Sequence, residues 1–302
     1  MLSRKTKGYL YGIIAAVIYG TNPLFALPLY SIGMNAETIL FYRYALAIII
    51  MGVIMKIMHQ HFAIHKTDVE SLFLMGIIFA LSSLLLFMTY NYMGAGLATT
   101  MQYVYPIMVV IIMSTFLKEK ITLTTTLSII LTLSGILLLY HGKGEQLSGT
   151  GTILIMLSAL LYALYIVGIN LSTLKTMSTI KLSFYTLVFG ILVLFVRLRL
   201  GYDLILPQPQ TWKYLIGLAI FPSNVSLICT ALAIHNIGST KASILGAFEP
   251  VTAVIIGVIL FHETLTPRII LGIAIIISAV SLLVLGNSIA KKKRKLLLIK
   301  KK

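Results

Sequence analysis

Two formal charges lie deep inside long apolar stretches of this 302-residue chain, and both could do chemistry. Arg43 lies eight residues after Asn35, at one end of its stretch, and Glu249 lies eight residues after Lys241. At about 1.5 Å per helical residue, each side chain therefore lies roughly 12 Å into its stretch. An ionisable side chain inside a bilayer is costly and by default indicates a substrate pathway, a proton relay or an ion pair. In a hydrocarbon core about 30 Å thick, the two side chains would form a bridge if their helices were neighbours.

Glu249 is a candidate carrier of a proton or of a substrate ammonium group, because dehydration favours its neutral form and a nearby cation its charged form. The alternative is a structural carboxylate that fixes a kink at Pro250. An ideal helical wheel points Glu249 away from the side that carries Gly246, Ala247 and Pro250. For Arg43, a structural bridge or snorkelling to the outer interface is favoured over anion binding.

Polar and aromatic residues recur at helical spacing in the stretch that begins each half of the chain. The first stretch carries Ala15, Tyr19 and Asn22, and the later one carries Ser158, Tyr162 and Tyr165. Facing inward, they would line a cavity for an apolar, aromatic or cationic solute, with hydroxyl and amide groups beside the rings. The alternative is that some of these tyrosines form interfacial belts. Weaker cavity candidates of the same kind are Gln102, Tyr103, Ser223 and Asn224.

Pro106 and Pro250 each remove a backbone hydrogen bond near the middle of a long apolar stretch. In a bilayer the freed carbonyl must find a partner or line a watery cavity. The two stretches are therefore predicted to line the cavity or to act as hinges, with ordinary kinked packing as the alternative. Pro23, after Asn22, gives the first stretch a similar break.

The elements that must position these residues are transmembrane helices. The chain is 59% hydrophobic and 11% charged, with a mean hydropathy of +1.00, and about 20 consecutive apolar residues span a bilayer as a helix. This composition excludes a soluble enzyme, a disordered chain and, with Cys229 as its single cysteine, a disulfide-stapled domain. Spans are predicted near 8–29, 36–56, 70–92, 96–117, 123–141, 150–172, 179–197, 213–235, 241–261 and 266–286.

The net charge of +16 comes from 24 Lys and Arg against 8 acidic residues, and eight of the basic residues lie in the tail 291–302. We expect such a tail to contact anionic lipid on the cytoplasmic face of the membrane. A nucleic-acid partner is not expected. The remaining Lys and Arg between spans favour the side of the N-terminus. The bias predicts a multi-pass protein of the inner (cytoplasmic) membrane with both termini in the cytoplasm.

An internal repeat organises the chain. Residues 91–106 align with 235–250 at an offset of 144, which pairs Pro106 with Pro250. The starts of the two halves align in the same way at an offset of 143, so the chain is a duplicated unit of five spans.

The predicted architecture is an all-α integral membrane protein of ten transmembrane helices. One five-helix repeat covers 1–147, a second covers 148–290, and the basic tail 291–302 follows. Because five is odd, the second copy enters the membrane from the opposite side. Such inverted-topology repeats are the architecture of many secondary transporters.

The motifs resemble a known family. Pro106 precedes an apolar run and then Glu119-Lys120-Ile121-Thr122, and Pro250 precedes a similar run and then Glu263-Thr264-Leu265-Thr266. This doubled pattern, over nearly the whole chain, resembles the EamA-type branch of the drug/metabolite transporter superfamily. The second copy departs from the first by having Thr186 where the first has Arg43.

The resemblance implies two inverted five-helix halves and export of metabolites such as amino acids across a bacterial cytoplasmic membrane. Some relatives within the superfamily carry nucleotide sugars or sugar phosphates, so a carrier of those substrates is the alternative. The few buried charges favour a neutral, zwitterionic or apolar cationic solute. A secondary transporter with alternating access, and with proton coupling through Glu249 as one option, is the main hypothesis. An intramembrane enzyme, a non-transporting scaffold and a passive channel are the other classes.

Enzyme, cofactor and metal chemistry are not expected. His59, His61 and His65 form a loop cluster, but few carboxylates lie nearby, so a solvated loop is favoured over a metal site. A phosphate-binding glycine loop of Walker type does not occur in the sequence, which argues against an ATP-driven pump. Oligomeric state does not follow from the sequence.

Overall fold

The computed structural model describes residues 3–93, 95–119, 121–139, 148–171, 173–260, 266–268 and 270–282. Every regular element within these ranges is helical, which confirms the all-α prediction for this part of the chain. The tail 291–302, and with it the predicted lipid contact, lies outside the described residues. So do Gly94 and 261–265, which carry parts of the repeat motif.

The helices follow the predicted spans, and several spans are divided into two pieces. The first half contains α1 (Arg4–Tyr19), α2 (Asn22–Ser31), α3 (Ala36–Ile57), α4 (Lys66–Thr89), α5 (Ala95–Gln102), α6 (Tyr105–Leu117) and α7 (Leu123–Leu139). The second half contains α8 (Gly149–Leu171), α9 (Thr179–Arg197), α10 (Trp212–Leu218), α11 (Ser226–Ile237), α12 (Ser239–Leu245), α13 (Phe248–Leu260) and α14 (Ile270–Leu282).

Six segments of the described residues are long and apolar enough to cross a membrane. They are Arg4–Ser31, Ala36–Ile57, Lys66–Thr89, Gly149–Leu171, Thr179–Arg197 and Pro209–Ile237. The other predicted spans correspond to shorter helices: α6, α7 and α14 are apolar but have at most 17 residues. The predicted spans 96–117 and 241–261 are divided, because each is interrupted before its proline.

The prolines begin helices instead of kinking them. Pro106 is the second residue of α6, Pro250 is the third residue of α13, and Pro23 is the second residue of α2. The first-turn N–H groups of a helix have no intrahelical acceptor, so a proline there removes no helical hydrogen bond. The predicted mid-span disruption is therefore a short turn just before each proline, which ends one α-helix and begins the next while tighter backbone hydrogen bonds continue, such as Val104 N–H to the Met101 carbonyl.

The segment Pro209–Ile237 bends differently. A π-helical turn, Ala219–Val225, joins α10 to α11 and contains Pro222. The Ser223 hydroxyl donates to the Leu218 carbonyl at 2.9 Å, which satisfies an acceptor that a proline-containing turn leaves open. This turn places Ser223 and Asn224 in the interior, with both side chains buried.

The two halves of the chain are intermixed. Helix α1 packs against α11, α3 packs against α9, and α4 packs against both α8 and α9. Between α4 and α8, the Ser82 hydroxyl donates to the Ser158 carbonyl at 2.9 Å, and the Ser158 hydroxyl donates to the Ser82 carbonyl at 2.7 Å. Reciprocal bonds and small residues of this kind hold helices together where lipid supplies no hydrophobic drive.

The closest approach of α4 and α9 depends on Gly76. A Cβ added there would lie 2.9 Å from the Thr186 carbonyl oxygen and 3.0 Å from the Gly190 nitrogen. We expect Gly76→Ala to push the helices apart and to lower the free energy of unfolding by about 1 to 3 kcal/mol. Thermal unfolding of the purified protein in nanodiscs measures this change.

Gly149→Ala is the matched control, because a Cβ at Gly149 meets no atom within 4 Å. The control should unfold at the wild-type temperature. Equal unfolding temperatures for Gly76→Ala and wild type would contradict the close packing of α4 on α9.

Candidate functional site

A small cavity lies at the centre of the helices, where the breaks in the two divided spans meet. Its volume is about 20 Å³, room for about one water molecule. Small residues of α1 and α12 and larger side chains of α6, α8 and α13 surround it. The lining includes Gly12, Ala16, Tyr105, Tyr162, Gly246 and Glu249.

Glu249 is the charged residue of this cavity. It lies in the first turn of α13 and is only 6% exposed. Its carboxylate has neither a hydrogen bond nor an ion pair with any residue that the structure describes. A buried carboxylate without a partner is costly when ionised, so its charge must be neutralised by a proton or a cationic ligand.

The helical-wheel argument for Glu249 is wrong. Gly246 and Glu249 line the same cavity. Residues three apart are neighbours on one face of a helix, so a wheel itself places Glu249 beside Gly246. The chain also leaves the α-helix at Gly246 and Ala247, so a single wheel does not describe both α12 and α13.

Tyrosines surround Glu249. Tyr162 stacks on Tyr19, with ring centres 6.2 Å apart, and meets Tyr105 edge to face at 4.8 Å. The Glu249 carboxylate lies within electrostatic range of the hydroxyls of all these residues and of Tyr103. The ring faces and hydroxyls therefore form a wall that suits a cationic or zwitterionic group.

Tyr105 is a site residue that the sequence analysis missed. The repeat offset of 144 pairs it with Glu249, so the signal was present in the alignment. In both halves this position begins the helix after a break, and in both it faces the cavity. One half supplies a phenol at this position, and the other supplies a carboxylate.

Hydrogen bonds join the break before Pro106 to the break before Pro250. The Tyr103 hydroxyl donates to the Ile244 carbonyl at 2.6 Å, and the Tyr105 hydroxyl donates to the Ser243 carbonyl at 3.2 Å. Both acceptors lie in the last turn of α12 and also accept backbone N–H groups, Ser243 from Gly246 at 3.1 Å and Ile244 from Ala247 at 3.2 Å. Tyrosines at one break thus add second donors to the backbone at the other.

The remaining predicted cavity residues are buried but are not part of this cavity's lining. Gln102 donates to the Ser158 hydroxyl at 3.2 Å, which joins α5 to α8. Tyr165 packs its ring against Phe79, with centres 4.8 Å apart. Asn22 and Asn224 are also buried. Of the predicted set, Tyr162 and Glu249 line the cavity directly, and Tyr19 stacks behind Tyr162.

Arg43 forms a second polar cluster. Its Nε donates to the Ser223 hydroxyl at 2.6 Å, and its Nη1 donates to the Asn22 side-chain oxygen at 3.1 Å. The side chain is 0% exposed and lies over the Phe87 ring at 5.7 Å. The snorkelling prediction for Arg43 is therefore wrong, because α2 and the π-helical turn cover it. Arg43 also makes no ion pair with Glu249.

Among the described residues, no group of three or more His, Cys, Asp or Glu side chains could hold a metal ion. The fold and its centre define a class: a multi-pass helical membrane protein, with a polar and tyrosine-rich cavity between two intermixed halves. The chain belongs to the EamA-like transporter family, whose model matches it twice, over residues 6–141 and 149–285. The family resemblance seen in the sequence motifs is thereby confirmed.

Two further comparisons agree with this family. An uncharacterized transporter of Archaeoglobus fulgidus is 29% identical over 185 residues, which are 61% of this chain and 65% of that relative. The match thus covers slightly less than two thirds of the relative's length. A solved structure described only as a crystal structure of a protein has a TM-score of 0.78 and 14% identity, with 93% of this chain and 97% of that chain covered. It supports the fold alone.

The tyrosine bonds between the breaks are testable. We expect Tyr103→Phe to remove the bond to Ile244 and to lower the free energy of unfolding by about 1 kcal/mol or somewhat more, because the acceptor is buried. Thermal unfolding in nanodiscs measures the loss. Tyr202→Phe is the control, since Tyr202 is 85% exposed. A Tyr103→Phe protein as stable as the control would show that the bond contributes nothing.

Proposed function

We propose that the protein is a secondary transporter that exports small zwitterionic or neutral metabolites, of the amino-acid type, by alternating access. The observation that carries the proposal is Glu249, a buried carboxylate without a partner, which lines a cavity between the halves of the chain. A group of this kind binds either a proton or the cationic part of a solute, and competition between them couples one flux to the other.

The breaks supply the freedom to move that such a mechanism needs. The cavity lies where two divided spans meet, and its volume of about 20 Å³ admits no metabolite. Transport therefore requires the halves to separate on one side of the cavity and then on the other. In an inverted repeat the two halves can exchange conformations, which exposes the same cavity to each side in turn.

Contacts between helix ends support the alternation of predicted spans. On the predicted cytoplasmic side, the Arg4 Nε donates to Asn236 at 3.1 Å. On the predicted outer side, Arg197 pairs with Glu37 at 3.0 Å. Each pair joins residues that the ten-span topology assigns to one side of the membrane. Together with the bias in Lys and Arg, these contacts support a cytoplasmic-membrane protein with both termini inside.

A proteoliposome experiment tests the function and the role of Glu249 together. We expect wild type to show saturable counterflow of a labelled solute from an amino-acid and metabolite panel, and faster uptake with a pH gradient. Glu249→Gln keeps the shape of the side chain and cannot ionise, so it should lose the gradient-driven component and retain counterflow with a higher half-saturating solute concentration. Glu70→Gln is the control, since Glu70 is exposed.

Two results would contradict these roles. Gradient-driven flux in Glu249→Gln equal to that of wild type would make Glu249 a structural residue. Flux that never saturates and shows no counterflow, from folded protein, would indicate a passive channel instead of a carrier.

The inverted topology has its own test in reporter fusions. Alkaline phosphatase fused after Leu147 should be active, because an odd number of spans precedes it and its activity requires export. Green fluorescent protein fused after Lys302 should fluoresce, because an even number of spans returns the chain to the cytoplasm. An inactive phosphatase at Leu147 would rule out a second half that enters from the opposite side.

A further inference from the structure

The charge of Arg43 is fully buried, and no carboxylate of the described residues pairs with it. The ion pairs among the described residues are Arg197 with Glu37 and Arg199 with Asp203. Two guanidinium nitrogens of Arg43 donate to uncharged oxygens, and the third, Nη2, has no acceptor. A buried cation with only neutral partners leaves most of its desolvation cost uncompensated, so an anion that reached it would be strongly attracted.

Other hydrogen-bonding groups without partners belong to the residues that contact this cation or directly follow them. The Asn22 oxygen accepts from Arg43, which leaves the Asn22 amide nitrogen without an acceptor of its own. Both side-chain atoms of Asn224, the residue after Ser223, also have no partner. Buried polar groups are normally satisfied, so these unpartnered atoms need an explanation.

The local backbone is specialised at the same place. Ser223 and Asn224 belong to the π-helical turn Ala219–Val225, which packs against α3 beside Arg43. Isolated π-helical turns are rare and occur frequently at functional sites. The turn is needed to place both residues inside, since it changes the helical register between α10 and α11.

Tyr19 connects this cluster to the cavity. Its hydroxyl lies close to the Arg43 guanidinium and within electrostatic range of Glu249. A positive and a negative side chain therefore both interact with one tyrosine. A solute with an anionic and a cationic group a short distance apart has the matching charge pattern.

We propose that Arg43, Asn22 and Asn224 form the binding site for the carboxylate of the transported solute, with Glu249 facing its ammonium group. The inference rests on the proposed transport function and narrows its substrates to compounds that carry both groups. One guanidinium with amide N–H donors suits a single carboxylate. A phosphate dianion would need more cations than this cluster contains, so the sugar-phosphate alternative is disfavoured.

Ligand-induced stabilisation tests the anion site without transport. The full-length protein in nanodiscs is unfolded thermally in increasing sodium acetate, with acetamide plus sodium chloride at equal ionic strength as the reference. A ligand that binds only the folded state raises the unfolding temperature. We expect acetate to stabilise wild type and acetamide with chloride to have no such effect. Arg43→Gln should raise the half-effective acetate concentration at least tenfold.

Matched variants separate binding from folding. Arg197→Gln removes an exposed arginine and should respond to acetate as wild type does. Asn224→Leu keeps the buried cation, removes only free polar atoms and should weaken the acetate effect several-fold. The proposal is overturned if wild type shows no acetate-specific shift, if chloride stabilises equally, or if Arg43→Gln and Asn224→Leu both respond as wild type does.

Counterflow measured on the same preparations distinguishes this inference from the function on which it rests. Acetate stabilisation that depends on Arg43, together with counterflow of an amino acid and none of its amide, supports both. Acetate stabilisation without any counterflow supports the anion site and contradicts transport. Counterflow that treats the acid and its amide alike, before and after Arg43→Gln, supports transport and overturns the carboxylate site.

Discussion

The polar interior of this protein depends on one constraint, which is that a bilayer offers no water to the polar groups of the backbone. A helix that ends inside the membrane must have its free carbonyls and N–H groups satisfied by other parts of the protein. The spans break before Pro106 and Pro250, and the cost of those breaks is offset by neighbours. Tyr103 and Tyr105 donate to carbonyls at the end of α12, and Ser223 donates to Leu218 at the π-helical turn. The polar interior is thus a requirement of the broken backbone as well as a place to bind a solute.

The same constraint applies most strongly to the two buried charges, because no water solvates them inside the membrane. Glu249 and Arg43 lie in different helices, both interact with Tyr19, and do not pair with each other. A protein selected only for stability would join them or replace them with apolar residues, because an unpaired buried charge is strongly destabilising. Their separation is the physical reason for assigning a binding role to the centre. It is also why a solute with two opposite charges fits the interior better than one with a single charge.

Much of the fold was predictable from the sequence, and the detail of the site was not. Apolar runs and the Pro106 and Pro250 repeat indicated the helical membrane class and the family, because periodicity and spacing are properties of the sequence alone. The sequence does not show which side of α13 faces the cavity, and a wheel that sets Glu249 apart from Gly246 overlooks that residues three apart share a helix face. For Arg43 the sequence favours a structural bridge or snorkelling, and hydropathy cannot show that α2 and the π-helical turn cover the side chain. Tyr105 was overlooked, although its alignment with Glu249 was available in the repeat.

The alignment of Tyr105 with Glu249 has an electrical consequence. In the proposed inverted topology, equivalent positions of the two halves lie at mirrored depths, yet only one of them carries a carboxylic acid. In the proposed alternating access, a charge on Glu249 therefore has no counterpart at the equivalent position of the other half. Moving one elementary charge through the whole membrane field is worth about 2.3 kcal/mol per 100 mV. The duplicated halves thus differ in charge at this position, so the proposed cycle would respond to the membrane potential in any step in which Glu249 is ionised.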